Sequence, residues 1–362
     1  MPFHQEQTRE GTVNQAKLED FVGKILGEIA GAVNVPLIRV GDRLGIYTAM
    51  HAAGPMTAQQ ICEKVGIAPR YGREWLSNQA ASGYLAYDAE HDTFELPPEQ
   101  AAVFADEDSP VYMMGAFDLV AAMMENQAFV EPAFRTGGGV GWGDMSQCQF
   151  CAAGRFFRPS YQHNLVENWL PAVEGIVDRL RAGARVADVG CGHGFSTVFM
   201  AKEFPQSQFF GYDFHPSSIE QARRHAQQHG VENITFEVAT AADFPDRQYD
   251  FVTFFDCLHD MGDPAGAARH VRETLSPDGL WMVVEPMAAD RLQDNIALPF
   301  SRIYYAASTL ICVPTSLAQA GRAALGAQAG FERLSGMIRD GGFSRVRKVV
   351  ETPFNMVIDA RA

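Results

Sequence analysis

The spacing of apolar positions divides the chain into regions with different periods. From residue 17 to about 82 apolar side chains recur at helical intervals, and from there to residue 96 they alternate. Thr57 is placed to cap a helix through Ile61 and Val65, with Gly66 as its stop. A second helix is predicted from about Arg70 to Ser82, with Trp75 and Leu76 on its buried side. Tyr84–Tyr87 and Thr93–Leu96 read as short strands around the polar turn Asp88 to Asp92. Residues 111–160 are rich in Met, Phe and Gly. Within them Thr136–Gly143 carries too little side chain to pack and is expected to be a mobile loop. Two helices are expected after Ser160, the second opened by Pro171 and closed by Gly183.

Beyond Gly183 strands and helices take turns. Strands are predicted at Arg185–Val189, Gln208–Tyr212, Ile234–Val238, Tyr249–Phe255 and Leu280–Val284. Helices fall at Ser196–Phe204, Pro216–Gln228 and Pro264–Leu275. Such alternation implies the α/β class, a parallel sheet covered on both faces. Arg345–Val350 and Phe354–Asp359 would add an antiparallel edge. Helix, turn, helix and two-stranded ribbon in residues 1–110 is the winged-helix arrangement. The expected division is therefore 1–110, a helical connector with its loop at 111–160, and an α/β domain at 161–362, with residues 287–326 as an insertion.

Composition narrows the function classes. A chain of 362 residues, 47% hydrophobic and 20% charged, has room for two cores. Met1 to Asn14 is polar and lacks the apolar segment of a secretory signal, and Ile303–Val313 is too short to span a bilayer. A cytoplasmic protein without a membrane partner is expected. Six cysteines form no framework. Cys148 and Cys151 make one C-x-x-C pair, read as incidental thiols with a redox or metal role as the alternative. The net charge of −15 disfavours a nucleic-acid partner, and residues 1–110 alone hold eight basic against sixteen acidic side chains.

Chemistry concentrates after the first α/β strand. Val186–Phe195 contains Asp188, Gly190, Gly192 and Gly194 in a D-x-G-x-G-x-G spacing, where backbone can turn tightly and approach a ligand. Asp213 ends the next strand 19 residues after Gly194, where a carboxylate can grip both hydroxyls of a ribose. His259 and Glu285 end the fourth and fifth strands. A carboxylate beside imidazole fixes its tautomer and stabilises the imidazolium; strand ends alone leave open whether these two act so or are only structural.

The glycine loop with Asp213 resembles motif I and the second-strand acid of class I S-adenosylmethionine-dependent methyltransferases. The resemblance implies a seven-stranded Rossmann-like sheet of order 3-2-1-4-5-7-6 behind the winged-helix domain. It implies that Gly190, Gly192 and Gly194 line the methionine and ribose part of S-adenosyl-L-methionine, with Asp188 at the strand end. Asp213 would hold the ribose with Phe214 beside it in the cofactor site, Thr240, Asp243 and Phe244 would flank adenine, and Asp256 would meet the cofactor or its pocket. Tyr161 and Arg158 would close over the methionine end, while His193 and His215 are read as incidental neighbours.

Leu258-His259-Asp260, with Asp263, resembles a segment of winged-helix small-molecule O-methyltransferases in which the histidine is the general base and an acid at the position of Glu285 orients it. Met261 stands where those enzymes carry tryptophan. Tyr304–Pro314 and Leu325–Gly330 are similar to a group of actinobacterial-type winged-helix methyltransferases, a likeness that runs from about residue 20 to the end. It implies that Asn295, Phe300, Tyr304 and Tyr305 cover a substrate pocket, unless these aromatics pack an oligomer. The implied reaction is metal-free methyl transfer to a small-molecule hydroxyl, leaving S-adenosyl-L-homocysteine. A homodimer would form through the apolar faces of residues 17–50, including Phe21, Ile25, Ile29, Val35 and Ile38. Methyl transfer to nitrogen, sulfur or carbon, or a cofactor-sensing transcription regulator, are the alternatives.

Overall fold

A computed structural model describes residues 13–362; the polar start of the chain, through position 12, lies outside the described residues. Two compact units meet at the Leu96–Pro97 bond. The boundary expected near residue 110 therefore falls earlier, because the helix Pro98–Phe104 already belongs to the second unit with the α/β region.

In the first unit Asn14 caps the helix Gln15–Arg43, its side chain accepting from the Lys17 N–H at 3.1 Å. Among the described residues this is the one helix long and apolar enough to cross a membrane, yet it carries Lys24, Glu28 and Pro36 and buries its later turns in protein. Val35 and Ile38, expected on a face between two copies, are buried in the single chain. The earlier turns instead expose Leu18, Phe21, Val22, Ile25, Leu26, Ile29 and Val33.

Ile46–Met50, Ala58–Val65 and Pro69–Ala81 are the next helices. Thr57 and Gln60 form a full capping box at the start of the second. The strands β1 (Met56–Thr57), β2 (Ala86–Asp88) and β3 (Thr93–Glu95) make an antiparallel sheet in the order β1-β3-β2. The expected ribbon is thus joined by a short strand that ends at the capping Thr57.

The second unit is built on seven strands: β4 (Arg185–Val189), β5 (Gln208–Asp213), β6 (Ile234–Val238), β7 (Tyr249–Phe255), β8 (Leu275–Pro286), β9 (Arg345–Glu351) and β10 (Asn355–Arg361). Their order is β6-β5-β4-β7-β8-β10-β9, or 3-2-1-4-5-7-6 counted within the sheet. β4 through β8 pair in parallel, and β10 runs antiparallel between β8 and β9. One face packs Phe254, Trp281 and Ile358 under the helices Pro264–Thr274 and Phe331–Asp340; the other packs Phe251, Met282 and Val357 under Trp169 and Leu180.

Residues 114–164 depart most from expectation. They form two long helices, Met114–Thr136 and Cys148–Asn164, packed so closely that a Cβ on Gly115 would lie 2.4 Å from the Phe156 nitrogen. The glycine run between them is pinned rather than free. The Val140 N–H donates to the Pro314 carbonyl at 3.0 Å, Arg322 donates to the Gly137 carbonyl at 2.7 Å, and a Cβ on Gly139 would meet the Ala318 nitrogen at 2.0 Å. Its glycines permit close backbone approach, not mobility. The second helix continues through a π turn at Leu165–Trp169 to Ala172; after a break the chain enters Ile176–Ala182 from Gly175 at φ +79°. The helix expected from Pro171 is therefore two pieces. In the insertion, Leu292–Ile296, Ser301–Ala307 and Val313–Leu317 are short helices, the last two joined by a π turn at Ser308–Cys312.

Candidate active site

The parallel strands β4, β5 and β7 deliver their carboxyl ends to one edge of the sheet, where the Rossmann-like plan places ligands. Gly190, Gly192 and Gly194 all take left-handed backbone after β4. A Cβ on Gly190 would approach the Cys257 sulfur to 2.7 Å, and one on Gly194 would approach the Phe236 ring to 2.7 Å. The turn is sewn to β5: the Gly190 and Cys191 N–H groups both donate to the Tyr212 carbonyl, at 2.7 and 3.0 Å. Asp213 completes it, accepting from Gly192 N–H at 3.0 Å and His215 N–H at 2.8 Å. Burial raises its pKa, against these two donors.

Asp188 is not in the cavity wall. It is 1% exposed and accepts from the Ser196, Thr197 and Thr253 hydroxyls at 2.7, 2.6 and 3.2 Å. Burial pushes it up to about 6 while the hydroxyls oppose the shift. Its work is to tie β4 to the helix Phe195–Glu203.

The cavity beyond the loop holds about 320 Å³, the size range of small-molecule sites. Gly190, Gly192, Asp213, Phe214, Thr240 and Asp256 line it as expected from the sequence, with Tyr161. Gly194, Asp243 and Phe244 do not: Asp243 caps the Thr240 N–H at 2.7 Å, and Phe244 lies in the core against Tyr212 and His270. Arg158 pairs with Glu107 at 3.2 Å. The opposite wall comes from the helix Cys148–Asn164. Phe150, Gly154, Phe157 and Tyr161 share one face, and Phe150 stacks on His215 with centroids 4.1 Å apart. That i, i+4, i+7, i+11 spacing was present in the sequence and could have been read as a helix face.

Asp256 sits at φ +51°, a left-handed conformation uncommon outside glycine. It accepts from Tyr161 at 3.2 Å and Asn355 at 3.1 Å. Burial and the nearby Glu285 charge push its carboxyl up to about 8.

Behind this wall His259 and Glu285 meet, 4% and 1% exposed. Glu285 accepts from the Leu258 N–H at 2.9 Å and bonds His259 Nδ1 through its other oxygen. His259 Nε2 lies 3.1 Å from Asp260 Oδ1, and the Cys312 thiol adjoins both. Burial opposes charge on the imidazole, but the carboxylates of Glu285 and Asp260 outweigh it and hold the pKa well above the ordinary value. Neither His259 nor Glu285 reaches the cavity; Asp260 does, with Met261, Thr315 and Gln319.

Asn295, Phe300, Tyr304 and Tyr305, expected over a substrate pocket, do not line this cavity, although Tyr304 lies close enough to Asp256 that burial and that carboxyl together raise its pKa. Asn295 staples its own loop through both backbone groups of Ala289, at 2.8 and 2.7 Å, and its amide also reaches the Tyr305 hydroxyl at 3.4 Å. Tyr304 donates to the Phe354 carbonyl at 3.0 Å, and Phe300 packs on the Phe354 ring. The insertion contributes its later turns instead.

Comparison with known proteins bears on this geometry. Residues 180–316 match the family described as Methyltransferase domain, and residues 32–105 match the Rv2258c-like winged HTH domain. The chain carries a methyltransferase domain. S-adenosylmethionine is the cofactor of such a domain. The ubiquinone biosynthesis O-methyltransferase of Acinetobacter baumannii is 32% identical over 127 residues, which are 34% of this chain and 51% of that protein. An uncharacterized methyltransferase of Bacillus subtilis is 32% identical over 112 residues, 30% of this chain and 44% of its own. The chain spans about half the length of the curated relatives it matches. In three dimensions the methyltransferase domain and its N-terminal partner align with human N-acetylserotonin methyltransferase bound to S-adenosylmethionine, at TM-score 0.70 and 15% identity over 97% of this chain and 98% of that one. Mitomycin 7-O-methyltransferase aligns at TM-score 0.67 and 21% identity, over 96% and 99%. At these identities the likeness is one of fold.

Proposed function

We propose that the chain is an S-adenosylmethionine-dependent methyltransferase acting on a hydroxyl of a small molecule. The observation that carries the reading is Asp213, a carboxylate held at the cavity wall by two backbone donors, beside glycines that leave room where side chains would stand. Gly190 and Gly192 would admit the methionine and ribose part, Asp213 would take the ribose hydroxyls, and Phe214 and Thr240 would flank the base. Tyr161 and Asp256 would border the reacting end. When bound, the cofactor supplies a methyl group on a sulfonium.

The residues of the chain then have two tasks. One is to hold the acceptor in line with the methyl, where correct positioning is worth up to about 7–11 kcal/mol of barrier. The other is to receive the proton that a hydroxyl loses, worth on the order of 10² to 10⁴-fold. The Glu285–His259–Asp260 cluster supports the second task.

A DNA-reading role has less support. On the helix Pro69–Ala81, Arg70 is paired with Glu74, and Arg73 is paired with Asp92 at 2.7 Å. With eight basic and sixteen acidic side chains in residues 1–110, little positive charge is left for phosphates. A second copy covering the exposed stripe of the helix Gln15–Arg43 fits the first unit better, and the exposed thiols of Cys148 and Cys151 fit the cytoplasm. Incubation with methyl-deuterated S-adenosylmethionine and a library of hydroxylated aromatics, read by mass spectrometry, should give labelled methyl ethers. Label found on nitrogen, sulfur or carbon alone would refute the hydroxyl acceptor.

A further inference from the structure

We infer that Asp260, not His259, is the group that meets the acceptor's hydroxyl and takes its proton, in a subsite it shares with Thr315 and which admits only acceptors without negative charge. This rests on the methyltransferase reading above and assigns the acceptor end of the same cavity.

Access comes first. The His259 ring is 5% exposed, with Nδ1 bonded to Glu285 and Nε2 facing Asp260 Oδ1 at 3.1 Å and the Cys312 thiol. No ring nitrogen is left facing the cavity. The Asp260 side chain keeps 19% of its surface, with Oδ1 buried against the ring, and the residue lines the cavity.

Charge comes second. An imidazolium between two carboxylates gives the cluster a net charge of −1, so it can accept one proton and end neutral. A histidine held protonated by both neighbours has no lone pair to offer; Asp260 has one. As the acceptor oxygen forms its bond to the methyl carbon, the methyl–sulfur electron pair returns to sulfur. The sulfonium becomes a neutral thioether, and the hydroxyl proton passes to Asp260, so one positive charge moves from sulfur to the cluster.

Recognition comes third. Thr315 lines the cavity, is 3% exposed, and its buried hydroxyl has no partner among the described residues. A buried hydroxyl without a partner is costly, so a ligand group is the natural complement. Gln319 beside it is already committed, accepting from Gly262 N–H at 3.0 Å and donating to the Asp260 and Thr315 carbonyls at 2.9 and 3.2 Å. Among the described residues the cavity wall carries the Asp213 and Asp260 carboxylates and an Asp256 that its raised pKa keeps protonated near neutrality, but no lysine or arginine. A carboxylate or phosphate on the acceptor would have no lysine or arginine to meet and would face the Asp260 carboxylate. The acceptor class is a neutral, hydroxyl-bearing planar molecule.

The test uses 2-naphthol, whose hydroxyl becomes strongly acidic on excitation, and its carboxylated counterpart 3-hydroxy-2-naphthoate, with the full chain saturated by S-adenosylhomocysteine. Bound 2-naphthol should emit from its anion because a proton acceptor touches the hydroxyl. Asp260→Asn should abolish that emission, while His259→Gln should retain it. Thr315→Val should weaken binding by about fivefold or more, and 3-hydroxy-2-naphthoate should bind about tenfold or more weakly than 2-naphthol. Anion emission lost in His259→Gln and kept in Asp260→Asn would overturn the proposal. So would equal binding of the two compounds, no effect at Thr315, or no binding of 2-naphthol at millimolar concentration. Circular dichroism checks the fold of each variant. Calorimetry with S-adenosylhomocysteine, run first on the wild type, separates a failure here from a failure of the methyltransferase reading itself.

Discussion

Removing the Glu285 carboxylate should destabilise the α/β unit in a way that depends on pH. Glu285→Ala takes one partner from a buried charged pair and leaves the Leu258 N–H without an acceptor. Breaking a buried pair from one side costs about 3–5 kcal/mol, and an unpaired buried amide contributes about 1–3 kcal/mol on the same scale. Both losses arise at one side chain and are not additive, so we expect about 3–5 kcal/mol in total. For a unit of this size that lowers Tm by roughly 6–20 °C.

The pH dependence originates in His259. Its folded pKa stands above the ordinary value near 6.5, because the two carboxylates overcome burial. The stabilisation is therefore complete below about pH 6.5 and is lost as pH rises through the folded pKa. The gap between wild type and Glu285→Ala should be widest near pH 6 and narrow toward pH 9. Glu285→Gln, which keeps an acceptor for the Leu258 N–H, should fall between them. Urea unfolding of full-length protein at several pH values measures this directly. A cost below about 1 kcal/mol at pH 6, or a gap that widens with pH, would refute the account of a charged imidazole held by Glu285.

Three further outcomes are expected. Asp213→Ala should weaken S-adenosylmethionine binding by about tenfold or more in calorimetry, because each hydrogen bond to a charged group is worth about 1.5–3 kcal/mol; unchanged affinity would remove Asp213 from the site. Asp256, pushed up to about 8 by burial and Glu285, binds its proton more tightly folded than unfolded, so it costs stability as pH rises from the ordinary carboxylate range through 8. Asp256→Asn should thus raise Tm at pH 8.5 and leave it nearly unchanged at pH 4, and equal shifts at both would contradict that pKa. Light scattering during size exclusion should report twice the 39.7 kDa chain mass, and replacing Phe21 and Ile29 with aspartate should give monomer; a monomeric wild type at micromolar concentration would overturn the proposed dimer.

Much of the fold was legible because its signals are local. The runs that became β4, β5, β6 and β7 are apolar, bounded by glycine or polar turns, and start and stop within a residue or so of expectation. The glycine loop announced itself because positive φ and a close approach to Cys257 and Phe236 demand glycine at fixed spacing. His259 and Glu285 were paired through the resemblance to winged-helix O-methyltransferases, and the parallel pairing of β7 with β8 brings the two strand ends together.

The features that escaped the sequence depend on which neighbour arrives. Gly139 looks like slack until Leu317 and Ala318 pack against it. Tyr304 and Phe300 look like pocket aromatics until Phe354, fifty residues on, takes them both. Val35 and Ile38 continue the exposed stripe in sequence, yet both are buried. Asp260 stood beside the candidate base, and nothing local says that its side chain, rather than the imidazole, turns to the cavity.

The most direct measurement of the central claim is a calorimetric titration of the full chain with S-adenosylhomocysteine, paired with the same titration of Asp213→Ala. The account predicts one saturable site per chain in the wild type, and at least about tenfold weaker binding in a variant that stays folded. No binding by the wild type, or equal binding by both proteins, would contradict it.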